Sequence, residues 1–144
     1  SCTSSGIIDM LDYYNINVSG KNAVVIGRSL LVGKPVSMLL NNRNATVTMC
    51  HSKTENLSEI TRNADIIVIA IGVPNFLTSD MVKEGAVVID VGINRVNGKL
   101  VGDAAFEELK EKCSYITPVP GGVGQMTVYE LYENVYKTLK LKNM

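Results

Sequence analysis

The strongest constraint on this 144-residue chain is a set of short runs that are apolar on both faces. Residues 66–71 read Ile-Ile-Val-Ile-Ala-Ile and residues 86–91 read Ala-Val-Val-Ile-Asp-Val. Asn22–Ile26 is a third run, β-branched and ending at Gly27; residues 45–50 are a fourth, with some alternation, and residues 114–116 a weaker fifth. A strand exposed on one face alternates apolar and polar residues. Runs without that alternation belong to parallel strands covered by helices on both sides.

Helical patterns occupy the intervals. The spacing predicts helices over residues 35–42, with Val36, Leu39 and Leu40 on one face, and 57–63, where Thr54 and Asn56 are equal candidates for the cap. A third spans 103–112 with Asp103 as N-cap, and a last one 126–139 with Val128, Leu131, Val135 and Leu139 in a stripe. Ile7, Ile8, Leu11 and Tyr14 mark a short amphipathic helix at the start. Asn97-Gly98 signals a hairpin turn, so residues 94–101 are read as an excursion outside the main sheet. The alternation gives an α/β, doubly wound, mostly parallel sheet with helices on both faces, in one domain over residues 1–144. Ligands of such sheets sit outside the carboxyl ends of the strands.

Composition narrows the function. Apolar residues make up 46% and charged residues 19%, with zero formal net charge. That excludes a disordered chain and gives no basic stripe for nucleic acid. No apolar run reaches the length that spans a bilayer. Cys2, Cys50 and Cys113 lack metal-ligand spacing, and their odd number fits a reduced, cytoplasmic protein. The first residues read like the middle of something longer, so a separated domain is expected.

Five motifs stand at expected strand ends. Gly27-Arg28-Ser29-Leu30-Leu31-Val32-Gly33 follows the first strand and opens a helix. Glycine permits close approach of the backbone to a pyrophosphate, and the helix N-terminus offers N–H groups. A tight turn without a ligand would use the same residues. The second strand ends Cys50-His51-Ser52-Lys53-Thr54, with no carboxylate before Glu55. NAD-binding domains place an acid there for the ribose hydroxyl. A hydroxyl and potential cations, with Arg28 approaching from the first loop, suit a 2′-phosphate instead; solvated Arg28 and Lys53 are the alternative. His51 is the only histidine and reads equally as structural or as a contact. Gly72, after the third strand, lets the backbone approach a ligand or simply makes a turn. Gly92 and Ile93 follow the fourth strand and could pack on a nicotinamide ribose, although Ile93 could equally be core. Asp90 reads as structural before catalytic. The fifth motif, Thr117-Pro118-Val119-Pro120-Gly121-Gly122-Val123-Gly124, mixes fixed and permissive φ angles, as a rigid platform near a ligand or a connector would. Zinc spacing, a nucleophile elbow and a Walker loop are absent from the sequence.

In this order, G-R-S-x-x-V-G-K-P, T-V-T-x-C-H-S-K-T, A-D-I-x-x-x-A-x-G-x-P, V-I-D-V-G-I-N and I-T-P-V-P-G-G-V-G make the chain resemble the C-terminal domain of the methylenetetrahydrofolate dehydrogenase/cyclohydrolase family. The resemblance runs from about residue 2 to residue 138. It implies a Rossmann-like domain for NADP, with Gly27, Arg28 and Ser29 at the phosphates and Arg28 and Ser52 at the 2′-phosphate. Ile93 would lie at the nicotinamide end, and Thr3 near the cofactor where two domains meet. Pro120, Gly121, Gly122, Val123 and Gly124 would face the folate cleft. It also implies a homodimer in which residues 94–101 take part. Two departures lie near that cleft: Ser1-Cys2-Thr3-Ser4-Ser5-Gly6 stands where the family reads P-C-T-P-x-G, and Gln125 replaces a proline. In the family, the folate pocket and the catalytic tyrosine and lysine belong to an N-terminal domain with no counterpart here. Lys34, Lys53 and Lys83 do not match those positions, so no catalytic residue is assigned to this chain. The implied activity is NADP-dependent oxidation of 5,10-methylenetetrahydrofolate and hydrolysis of the methenyl product, carried out with that other domain. An NAD-dependent monofunctional dehydrogenase and a non-catalytic nucleotide-binding module are the rival readings.

Overall fold

The structure is a computed structural model that describes residues 2–120, 123, 136 and 137. Helix α1 (Cys2–Tyr13) leads into β1 (Asn22–Ile26), α2 (Gly33–Asn42), β2 (Thr46–Cys50), α3 (Leu57–Arg62) and β3 (Ile66–Ile69). A 3-10 turn (Ser79–Met81) precedes β4 (Val87–Asp90), the strand pair β5 (Asn94–Val96) and β6 (Lys99–Val101), α4 (Phe106–Leu109), β7 (Tyr115–Ile116) and β8 (Tyr136–Lys137). The main sheet has the order β2-β1-β3-β4-β7-β8. All its pairings are parallel except β7 with β8.

The apolar runs are explained by what lies on each face. Ala23, Val25, Ile66, Val68, Val87 and Ile89 point into one core, which α1 and α2 close with Ile7, Leu11, Val36 and Leu40. Val24, Ile26, Ile67, Ile69 and Val88 point into a second core, closed by Met81 and Leu109 with Leu57 and Ile60 partly buried against it. Successive strand residues face opposite sides. Burial on both faces therefore requires both parities to be aliphatic.

The hairpin forms as expected. β5 and β6 make a separate antiparallel pair whose turn residues Asn97 and Gly98 both have positive φ, 50° and 79°. That is the backbone an Asn-Gly turn supplies with least strain. Three helix expectations are corrected. Asp103 does not cap a helix: α4 begins at Phe106, behind Ala105, because the Asp103 carboxylate is bonded elsewhere. At α3 the N-cap position is Asn56, left-handed and without a side-chain cap, while Thr54 Oγ1 accepts the His51 N–H at 2.8 Å. Tyr136–Lys137 extends the sheet as β8 by pairing with the edge of β7, so those two residues are not in the helix expected over 126–139. The rest of that segment lies outside the described residues.

Candidate functional site

The chain leaves β1 through α2 to β2 on one side of the sheet, then returns to β3 on the other side of β1. The loops leaving β1 and β3 therefore diverge at their carboxyl ends. A crevice opens where strand order reverses in this way. A cavity of about 440 Å³ occupies that position, with Gly27, Arg28, His51, Ser52, Ala70 and Ile71 among its walls. Leu57, Val73 and Phe76 complete an apolar side. A neighbouring cleft of about 500 Å³ shares Leu57 and Phe76 but lies over α3 and the 3-10 turn, away from the strand ends, and mixes Glu59 with Arg62. The strand-end cavity is the one the topology creates.

Two glycines shape the first wall. Gly27 has φ +118°, and a Cβ there would lie 2.4 Å from the Ala70 carbonyl oxygen. A Cβ on Gly33 would lie 2.3 Å from the Gly27 carbonyl oxygen. Only glycine lets the turn fold against the β3 exit and lets α2 begin so close beneath the turn. This is the close packing that glycines of dinucleotide turns provide.

The donors of this turn are not the ones the sequence pattern suggests. Ser29 Oγ accepts the Val32 and Gly33 N–H groups at 3.1 and 3.3 Å, and the Ser29 carbonyl accepts the Lys34 N–H at 2.9 Å. Pro35 has no N–H, and the Val36 N–H donates to the Val32 carbonyl. The first turn of α2 is thus satisfied from within, and its N-terminus offers no free amide. Among the described hydrogen bonds, the amides of Arg28, Ser29, Leu30 and Leu31 take no part. The donors this turn has left, among the described hydrogen bonds, are those amides, the Arg28 guanidinium and the Ser29 hydroxyl proton.

The second wall is the β2 exit. The Thr54 bond to the His51 N–H and a 3.2 Å bond from the Lys53 N–H to His51 Nδ1 fix the 51–54 turn. With Nδ1 accepting, a neutral imidazole carries its proton on Nε2, as a donor. Ser52 and Lys53 are exposed beside it. No carboxylate lines the cavity, and Glu55 lies outside the wall. The cavity therefore combines Arg28, an imidazole N–H and a serine hydroxyl, a set that receives anions.

The other sequence candidates are more dispersed. Gly72 follows Ile71 with φ +71° and faces open space, flanking the cavity. Ile93 is 39% exposed after β4, and Thr3 sits in the first turn of α1; neither lines the cavity. Pro120 is exposed, whereas Val123 is buried in the α1/α2 core, so its side chain faces packing and not a cleft. Gly121, Gly122 and Gly124 lie outside the described residues. Among the described residues no cluster could hold a metal ion, and no helix is long and apolar enough to cross a membrane. Cys50 and Cys113 are buried, and burial raises the Cys50 pKa.

Asp90, read from the sequence as structural, is so, but its link to Asp103 was missed. Asp90 and Asp103 are almost fully buried at the carboxyl end of β4 and beyond the hairpin. Asp90 Oδ1 accepts the Gly92 and Asp103 N–H groups at 2.9 and 3.0 Å, and Oδ2 accepts the Ala104 N–H at 2.9 Å. Burial pushes the Asp90 carboxyl up to about 6, against the pull of those N–H donors and with a small upward push from Asp103. The only sequence signal was the glycine spacing: a Cβ on Gly92 or Gly102 would strike the Asp103 or Asp90 carboxylate.

The sequence profile described as the tetrahydrofolate dehydrogenase/cyclohydrolase NAD(P)-binding domain matches residues 1–143. The bifunctional protein FolD of Thermodesulfovibrio yellowstonii is 63% identical over 98% of this chain and 50% of its own length. Among solved structures, the bifunctional FolD methylenetetrahydrofolate dehydrogenase/cyclohydrolase of Campylobacter jejuni superposes with a TM-score of 0.86 at 54% identity, over 99% of this chain and 50% of that one. The Trypanosoma brucei N5,N10-methylenetetrahydrofolate dehydrogenase-cyclohydrolase, solved with NADP cofactor and inhibitor, has a TM-score of 0.81 at 40% identity, over 99% of this chain and 51% of that one. The chain spans about half the length of the relatives it matches. The doubly wound sheet, the glycine turn against β3 and the profile over nearly every residue agree: the chain belongs to the tetrahydrofolate dehydrogenase/cyclohydrolase family, as its NAD(P)-binding domain.

Proposed function

We propose that this chain holds NADP for a bifunctional 5,10-methylenetetrahydrofolate dehydrogenase and 5,10-methenyltetrahydrofolate cyclohydrolase of one-carbon metabolism. The observation that carries the cofactor choice is the β2 exit, where Ser52 and Arg28 share a cavity with no acid in its wall. An acid there would accept from a ribose 2′-hydroxyl and repel a 2′-phosphate. The guanidinium does the reverse. Gly27, Arg28 and Ser29 take the phosphates, Ser52 shares the 2′-phosphate with Arg28, and Gly72 permits close approach at the β3 exit. Ile93 and Thr3 stand toward the nicotinamide end, and Pro120, Gly121, Gly122 and Gly124 toward the folate cleft, with Val123 packed in the core.

A bound NADP supplies the hydride acceptor. The residues of this chain bind and orient; folate binding and catalysis belong to the other half of the parent enzyme. Holding donor carbon and acceptor ring in register is the main task of such a site. We further propose a homodimer with the β5–β6 hairpin in its contact and a cytoplasmic location, which the odd number of cysteines without metal-ligand spacing supports.

Calorimetric titration of both dinucleotides tests the reading. NADP binds more tightly than NAD, and Arg28→Ala weakens NADP about ten- to a hundredfold while changing NAD about threefold or less, the size of one charge-assisted contact. Equal or tighter binding of NAD would favour a NAD-dependent dehydrogenase. Equal losses for both ligands would show that Arg28 reads only the pyrophosphate.

A further inference from the structure

Asp103 is fully buried, and the described ion pairs involve other residues. Its hydrogen bonds explain why a carboxylate is there. Oδ2 accepts the Ile71 N–H at 2.7 Å and the Gly72 N–H at 3.0 Å. Oδ1 accepts from Asn94 Nδ2 at 2.9 Å, at the base of the hairpin. The Asp103 carbonyl accepts the Leu77 N–H at 2.9 Å, and its own N–H donates to Asp90 Oδ1. One residue thereby joins the β3 exit, the loop that follows it, the hairpin and the end of β4.

The β3 exit is a cavity wall: Ala70, Ile71 and Val73 line it. Its backbone turns at Gly72, where positive φ permits the bend but does not select it. Two N–H groups meeting one oxygen of the fully buried Asp103 carboxylate do select it, because a buried carboxylate oxygen without donors is costly. With those amides turned inward, the wall presents apolar side chains to the cavity and leaves anion recognition to the β1 and β2 exits.

We propose that Asp103 is a positioning residue of the dinucleotide site, fixing the Ile71–Gly72 turn against the cavity and tying it to the hairpin through Asn94. The proposal rests on reading the cavity as that site.

The test compares wild type, Asp103→Asn, Asp103→Ala and the distant core variant Leu11→Ala in the full 144-residue chain. Affinity for NADP is read by calorimetry, and amide hydrogen exchange is read without ligand. In Asp103→Asn the side-chain oxygen can still face Ile71 and Gly72, with the Asn94 amide reversed to accept. A neutral acceptor is weaker than a charged one, so affinity falls about threefold. Asp103→Ala loses about tenfold or more, with the Ile71 and Gly72 amides exchanging at least about tenfold faster while β1 amides change less. Leu11→Ala lowers stability but leaves NADP affinity within about twofold, separating positioning from general loosening. Wild-type binding matched by both Asp103 variants overturns the inference alone. If Asp103→Ala does not fold, undiminished binding by Asp103→Asn overturns it. Absence of dinucleotide binding by the folded wild-type chain overturns the site reading and the inference together.

Discussion

Asp90 illustrates how a buried acid can organise a loop and still resist being charged. It is 2% exposed and receives three backbone N–H groups, yet burial outweighs them and its carboxyl titrates near 6 rather than 3.8. Between those values the folded chain keeps the proton and the unfolded chain releases it. Stability from this group is thus complete below about pH 4 and is lost as pH rises through 6, a change of about 3 kcal/mol. Asp12, Asp65 and Asp80 run the other way: hydrogen bonds from Arg43, Lys83 and Thr78 lower their pKa values. The Asp90 contribution is therefore read as a difference. Urea unfolding of wild type minus Asp90→Asn should show the wild type losing relative stability from pH 4 to 6.5. A pH-independent difference would contradict the assignment.

At the scale of elements, the β1–α2 turn is set by contacts a few residues away. Gly33→Ala gains about 1 kcal/mol of helix propensity but drives a methyl into the Gly27 carbonyl. The clash is with backbone, which cannot rotate aside, so the net loss should be about 2 kcal/mol or more. Gly98→Ala, in the hairpin, meets nothing within 4 Å and costs only about 1 kcal/mol for its positive φ. Urea midpoints of the two variants check the order; a smaller loss at Gly33 would mean that α2 shifts freely. The same contrast explains what the sequence made legible. Strands β1 to β4 could be placed within two residues because aliphatic parity is a local signal. Helix starts were less legible because their caps act at a distance. Ser29 satisfies α2 from four residues before Gly33, and the Asp103 carboxylate serves Ile71 and Gly72, thirty-two and thirty-one residues earlier.

For the whole molecule, the division of labour is testable by turnover. The chain alone should bind NADP yet give no detectable reduction with methylenetetrahydrofolate, whereas the full-length parent should give a rate; absence of that rate would favour a nucleotide-binding module. The candidate site was legible in part. Gly27, Arg28 and Ser52 could be read from their places at strand ends, and the fold brings them to one cavity. The Asp90–Asp103 framework could not, since it joins residues from separate loops whose pairing only the tertiary structure reveals.

One consequence of the two-sided cores concerns alignment. Where a strand is wet on one side, a slip by one position buries polar groups and is rejected. Along Ala23 to Ile26 the same slip exchanges one aliphatic row for another, so greasiness alone is a poor ruler. The ends of the strand must do the measuring: the Asn22 N–H donates to Asp65 Oδ2 at 2.9 Å at one end, and Gly27 fits beneath Ala70 at the other. The glycine proposed to admit the nucleotide is thereby also the tick mark that keeps this strand from sliding.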